Sequence, residues 1–185
     1  IDFLGSYYQQ NGENGAVTGG IGTEQLQDGA FILVVNVPLD SINAISVTGG
    51  ADIYSSASTD NIDNNKSSAS LHDLRAYSTV GYTRKNLKRG EIYGIKVGFS
   101  SEYDYVSING GLTYSKEFNE GNSEFSINAL AFFDNWETYF PKELRGKVSV
   151  PTTQRQSFTL QSNFAQVLNK RIQFSLSAEA IYMKG

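Results

Sequence analysis

The stretch "EIYGIKVGFS", Glu91 to Ser100, decides the fold. Read at every second residue, it separates into Tyr93, Ile95, Val97 and Phe99 on one side and Ile92, Gly94, Lys96, Gly98 and Ser100 on the other. A period of two belongs to a β-strand with two unlike faces. In a water-soluble protein the apolar face packs into a core. In a transmembrane barrel it points out at lipid. The rest of the chain discriminates between these.

The chain is 185 residues long, enough for one domain, with a net charge of -4 that gives no basic surface for a nucleic acid. It has no cysteine, which excludes disulfides and thiolate metal sites. Charged residues make up 18%, below the roughly 25% of ordinary globular domains, and Ser, Asn, Gln, Thr and Gly take their place. Soluble β-proteins guard exposed faces with Lys and Glu; this sequence does not. No apolar run approaches the roughly 20 residues of a membrane helix. The opening "IDFLGSYYQQ" has neither an initiator Met nor a signal peptide and reads as the start of a mature or partial chain.

Alternating segments recur, and helical periodicity is nowhere sustained. Strands are expected at about 2–10, 30–39, 43–54, 74–84, 91–101, 104–115, 123–134, 156–167 and 172–183. The connections are unequal. Residues 11–29, 55–73 and 135–155 form long links. "PLDS" (38–41), "NLKRG" (86–90), "FNEGN" (118–122) and "LNKR" (168–171) are short, as is "SEYD" at 101–104. The long ones all fall at one end of the strands, the asymmetry of an up-and-down outer-membrane barrel with extracellular loops and periplasmic turns.

The faces point the same way. The apolar sets Phe31/Leu33/Val35/Val37, Ile45/Val47/Ala51/Ile53, Tyr93/Ile95/Val97/Phe99, Val106/Ile108/Leu112/Tyr114, Phe125/Ile127/Ala129/Ala131/Phe133, Phe158/Leu160/Phe164 and Phe174/Leu176/Ala178/Ala180/Tyr182 contain no charge. The opposite faces carry Asp52, Lys96, Asn109, Asn128, Gln161, Asn163, Gln173 and Glu179, which would line a lumen. A basic residue on the lipid face costs about 2–4 kcal/mol at midplane, so the charges belong on the polar side. Aromatics gather at the strand ends. Tyr82, Tyr93, Tyr114, Phe125, Phe164 and Phe174 mark the short-turn end, and Phe99, Phe133, Phe158 and Tyr182 the other. Two aromatic rows flanking an aliphatic band describe lipid-facing girdles. Along a tilted strand, Phe125 to Phe133 spans roughly 20 Å, close to the usual ~25 Å band. A sandwich core also uses large aromatics, but core packing does not confine them to strand ends. Single-chain bacterial barrels have even strand numbers, so nine strands are expected to be part of a larger set. Residues 1–185 then form a single β-barrel domain, incomplete at the C-terminal end.

The stretches "SYYQQNGENGAVTGGIGTEQL" (6–26), "IYSSASTDNID" (53–63), "SSASLHDLRAY" (67–77), "GFSSEYDYVSINGGLTYSKEFN" (98–119) and "FFDNWETYFPKELRG" (132–146) resemble an uncharacterised family of outer-membrane β-barrels predicted in Gram-negative bacteria. Members look about twice as long, so the resemblance implies an N-terminal half. It implies location and architecture and supplies no activity and no residue role.

Few residues suggest chemistry. His72 is the single histidine; with a loop serine and Asp73 it outlines a rim hydrolase, but a solvated loop histidine is the simpler reading. Asp60 and Asp63, among Asn61, Asn64 and Asn65, are weak Ca²⁺ candidates without the glycine and glutamate of an EF-hand. Asn and Asp in such a loop more commonly make turns. The segment "NGENGAVTGGIGTEQ" lacks a P-loop Lys-Ser/Thr and suits a lumen constriction or a docking loop. "KNLKRGE" reads as a solvated turn. Trp136, Tyr139 and Phe140 in the long aromatic link suggest an interface with a membrane surface or a protein. A nearly neutral lumen lacks the charge rings of an ion filter.

The expectation is therefore a non-enzymatic, cofactor-free and metal-free integral barrel of the bacterial outer membrane, N-terminus periplasmic, in contact with outer-membrane lipid. Its long extracellular loops would bind protein partners, as an accessory subunit of an envelope assembly. A porin-like diffusion channel for small solutes is the nearest alternative, and a rim-located lipid hydrolase the most distant.

Overall fold

The computed structural model describes residues 1–12, 22–55, 72–137, 147 and 153–185. Among these there is no helix. Nine strands form one sheet: β1 (Asp2–Gly12), β2 (Glu24–Pro38), β3 (Asn43–Ser55), β4 (His72–Asn86), β5 (Glu91–Ser101), β6 (Tyr105–Phe118), β7 (Ser123–Trp136), β8 (Thr153–Asn169) and β9 (Ile172–Lys184). Their spatial order is their sequence order, and every neighbour is antiparallel. Such a meander needs only local hairpin connections. The sheet is open: β1 pairs only with β2, and β9 only with β8. A single β-bulge lies in the last pair, between Val167 and Asn169.

All nine expected strands are present, several longer than the apolar alternation. β2 begins at Glu24 rather than near 30, because Glu24 to Gly29 ladder against Gly12 to Tyr7. β4 begins at His72, β8 at Thr153, and β7 runs on to Trp136. The physical reason is common to all. Backbone pairing does not require apolar side chains, so a ladder continues past the point where the hydrophobic pattern stops. The links read as 11–29, 55–73 and 135–155 shrink accordingly to 13–23, 56–71 and 137–152.

Each short turn is built from its own sequence. In the β2–β3 turn, the Asp40 carboxylate accepts from the backbone N–H groups of Ile42 and Asn43 (both 2.8 Å) and from the Asn43 side-chain amide (2.7 Å). In the β4–β5 turn, Gly90 has φ 63° and sits where an added Cβ would lie 3.0 Å from the Glu117 carbonyl oxygen. The β6–β7 turn is left-handed from Asn119 (φ 54°) through Glu120 (φ 56°) to Gly121 (φ 82°). Adjacent turns are tied together: Lys85 N–H donates to the Ile42 carbonyl (2.8 Å), Glu117 to Gly90 (2.8 Å) and Val167 to Asn122 (2.7 Å).

No hydrophobic residue is buried among the described residues. A water-soluble domain of this size would bury many. Here one layer of sheet stands with its apolar face uncovered.

Candidate functional site at the two faces of the sheet

In β5, Tyr93, Ile95, Val97 and Phe99 are exposed, and the residues between them are half-buried or buried. Among the described residues no second layer covers either face, so this alternation reflects the strand side chains themselves. The glycines give the cause. At Gly111, on the polar face, an added Cβ would lie 2.7 Å from Leu130 Cδ2 and 2.8 Å from Lys96 Cε. At Gly50, also on the polar face, it would lie 2.5 Å from the Tyr77 hydroxyl and 2.7 Å from the Phe31 carbonyl oxygen. At Gly110, on the apolar face, it would meet only the Lys96 carbonyl oxygen, at 3.8 Å. Polar-face side chains converge and apolar-face side chains diverge, as happens when a sheet curves towards its polar face.

The apolar face is continuous across the pairings. Val97 lies opposite Val80, Ile95 opposite Leu112, Leu112 opposite Ala129, and Ala129 opposite Leu160. The two aromatic rows lie on this face. At the short-turn end Tyr93 and Tyr114 are directly paired, with ring centroids 5.3 Å apart, and Phe125 is paired with Phe164. Tyr82 donates a 2.6 Å hydrogen bond to the Asn43 side chain, and Phe174 is exposed. At the other end Phe133 meets Phe158 edge-on at 6.2 Å, and Phe158 stacks with Tyr182 at 6.4 Å. Phe99 is exposed opposite Ile108. Between the rows, Ile95, Val97, Ile108, Leu112, Leu160 and Leu176 are all more than half exposed. Among the described residues charge appears on this face only outside the aromatic rows, as Lys184 beyond Tyr182 at the long-connection end and as Arg84, Glu91 and Lys116 at the short-turn end. At the short-turn end Lys116 Nζ pairs with Glu91 Oε1 (3.3 Å), and the Tyr93 hydroxyl donates to Glu91 Oε2 (2.9 Å).

The polar face collects the other predicted residues. Asp52, Lys96, Asn109, Asn128, Gln161, Asn163, Gln173 and Glu179 share it by register. Gln161 donates to Glu179 (3.2 Å), and the Ser177 hydroxyl to Asn163 (2.9 Å), in a shallow hydroxyl- and carboxamide-lined recess that also includes Asn128. Lys96 ion-pairs with neither Asp52 nor Glu179; its stem lies against Gly111.

Sequence reasoning missed a polar-face cluster at the long-connection end. Asp134, only 3% exposed, accepts from the Tyr105 hydroxyl (2.7 Å) and from Arg155 Nε (2.9 Å). The Arg155 guanidinium lies over the Tyr105 ring at 5.9 Å and the Trp136 ring at 5.7 Å. Trp136 is thus not in a loop. It ends β7 opposite Tyr105 and Thr153, because the β6–β7 and β7–β8 ladders run through it. Parity along β7 puts Asp134 on the side of Asn128, and parity along β8 puts Arg155 on the side of Gln161. That signal was present. The pairing register across a long connection was not. Beside this cluster, in the 102–104 link, burial and then the neighbouring Asp104 and Asp73 carboxylates push the Tyr103 phenol well above its ordinary pKa.

Among the described residues no catalytic constellation is seen at His72; the loop serines between Ser55 and His72 lie outside them. His72 stands exposed opposite Ser55, whose hydroxyl accepts from the Gln27 N–H (3.0 Å). Asp60, Asp63, Tyr139 and Phe140 lie outside the described residues. Among the described residues no acidic or histidine cluster could hold a metal ion. Among the described residues no helix is long and apolar enough to cross a membrane. Comparison of the chain with protein-family models, with curated proteins and with solved structures finds no match in any of the three.

Proposed function

We propose that this sheet is part of the wall of an integral β-barrel of a Gram-negative outer membrane, with no enzymatic role, whose long connections engage protein partners at the outer surface. One observation carries the reading. A nine-stranded meander leaves an uncharged aliphatic band, bounded by two aromatic rows, uncovered and without a core behind it. Left in water, each such Leu, Ile or Val would forgo roughly 1.5–3 kcal/mol of burial. In lipid that cost disappears. The short turns would face the periplasm and the long connections the outside.

Edge geometry adds a constraint. β1 and β9 run in the same direction, since eight reversals separate them. An all-antiparallel barrel closes only if an odd number of further strands lies between these edges, giving the even total expected of bacterial barrels. Two copies of this sheet arranged about the barrel axis would meet at parallel seams instead.

The partner role rests on the connections 13–23, 56–71 and 137–152, all at one end, and on half-exposed Trp136 beside them. Recovery of a stoichiometric partner by mass spectrometry after native purification supports it, and recovery as a monomer alone counts against it. The hydroxyl- and carboxamide-rich polar face favours a second reading, a diffusion path for small neutral solutes. Planar-bilayer recordings of the full-length protein without conductance would remove that. The barrel itself is tested by alkaline carbonate washing of cell envelopes: release into the soluble fraction breaks the reading.

A further inference from the structure

The basic turn "KNLKRGE" is not explained by a barrel wall alone. Arg84 lies on the outward face of β4 directly opposite Tyr93, Lys85 beside it pairs with Ile92 and belongs by register to the polar face, and Lys88 lies in the β4–β5 turn. With Ile42, Leu87 and Tyr93 these three cations line a recess of about 600 Å³ beside the β2–β3 turn. All three are exposed, and none forms an ion pair within the described chain. The nearby acids are already engaged. Asp40 feels the charge of Arg84, but its oxygens are taken by its own turn. Glu91 is held by Lys116 and Tyr93. The recess therefore offers unneutralised positive charge.

Its position gives the charge a meaning. Above the Arg84/Tyr93 pair, on the same face, the register stacks Tyr82 with Ile95 and then Val80 with Val97. Leu87, in the turn, is 70% exposed. A ligand that fits needs an anionic head at the base and hydrocarbon running up the face. The β8–β9 turn is also basic, with Lys170 and Arg171, but its recess includes Glu120 and holds one cation, Lys170.

We propose that the recess between the β2–β3 and β4–β5 turns binds the headgroup of an anionic glycerophospholipid, with Arg84 and Lys88 at the phosphodiester and the acyl chains along Tyr82, Ile95, Val80 and Val97. The site rests on the membrane-barrel reading and specifies which lipid the periplasmic rim selects. Cations near a membrane surface each contribute attraction to anionic lipid, and salt screens it.

The test is native mass spectrometry of the full-length protein in detergent, titrated with phosphatidylglycerol or with phosphatidylcholine of the same chain length. Wild type is expected to retain phosphatidylglycerol in preference, and the preference should shrink as salt rises. Each Gln substitution at Arg84 or Lys88 should lower it roughly fivefold, the factor equivalent to about 1 kcal/mol per basic residue. Lys88→Gln, in an exposed turn, covers the case in which Arg84→Gln does not fold. Lys170→Gln with Arg171→Gln should leave the preference unchanged. Equal uptake of the two lipids by a membrane-embedded wild type overturns the site and leaves the barrel standing. Displacement of phosphatidylglycerol by an equal concentration of glycerol 3-phosphate also overturns it, because the recess then reads phosphate without lipid. A protein that partitions into the soluble fraction instead removes the barrel and the site together.

Discussion

Gly110 and Gly111 are neighbours in β6 and face opposite ways. Around Gly110 an added methyl group would find open space, with one backbone oxygen at 3.8 Å. Around Gly111 it would run into Leu130 and Lys96 at under 3 Å. The comparison separates two kinds of surface on one sheet. The apolar face is sparsely packed within the protein and left uncovered among the described residues. The polar face is packed by its own side chains and behaves as an interior, although it carries most of the polar groups.

The strongest way to break that comparison is to place one charge on each face. Leu112 and Thr113 are adjacent in β6 on opposite faces, and Leu112 is 60% exposed. In lipid vesicles Leu112→Lys is expected to destabilise by about 2–4 kcal/mol, and Thr113→Lys by much less. If the apolar face met water, Leu112→Lys would be an ordinary surface substitution worth within about 0.5 kcal/mol. Urea unfolding of both variants in vesicles distinguishes these outcomes. Equal midpoints would show that the exposed band does not face hydrocarbon.

Close packing of the polar face is tested next. Gly50→Ala places a methyl group against the Tyr77 hydroxyl at 2.5 Å and the Phe31 carbonyl oxygen at 2.7 Å. Tyr77 can swing aside; the Phe31 backbone cannot without disturbing the β2–β3 ladder. The expected cost is about 1–3 kcal/mol by thermal unfolding, only partly recovered when Tyr77→Ala is added. Gly111→Ala should cost less, because both obstacles are ends of flexible side chains. Gly110→Ala should be close to neutral. A ranking with Gly110 the most sensitive would reverse the assignment of crowded and open faces.

The division between faces was legible in the sequence because it depends on parity alone. Tyr93, Ile95, Val97 and Phe99 alternate with Lys96 and its neighbours whatever the pairing register, and all nine strands follow from the same rule. Strand ends were not legible. Glu24 to Gly29 and Thr153 to Gln156 carry no alternation of apolar residues, yet their backbones ladder with β1, β7 and β9. Register across long connections was not legible either. Asp134 and Arg155 are separated by 137–152, so nothing local indicates that they meet. The basic turn was visible as composition, but its relation to Tyr93 and to the apolar column above it needed the β4–β5 pairing.

Asp134 provides a smaller test of the polar face. Asp134→Asn keeps the shape but leaves Arg155 without its anion. Arg155 is 40% exposed and can rehydrate, so the expected loss is about 1–2 kcal/mol rather than that of a fully buried pair. A double-mutant cycle with Arg155→Gln should show positive coupling. Additive effects would mean that the aromatic rings of Tyr105 and Trp136, not the ion pair, hold the guanidinium.

The least disruptive test lies at a turn, where neither face is involved. The Asp40 carboxylate is held below its ordinary pKa first by the Asn43 side-chain amide and then by the Ile42 and Asn43 backbone N–H groups. A carboxylate with a lowered folded-state pKa adds stability above its unfolded value of about 3.9. That contribution is lost as pH falls through the folded value. Wild type and Asp40→Ala should therefore differ in unfolding midpoint at about pH 6 and converge towards about pH 2.5. A gap that persists unchanged in acid would assign the turn's stability to chain geometry, because protonated Asp40 would then serve as well as its anion. Loss of the gap would place the ionised carboxylate at the centre of the β2–β3 turn, next to the Arg84 charge that lines the neighbouring recess.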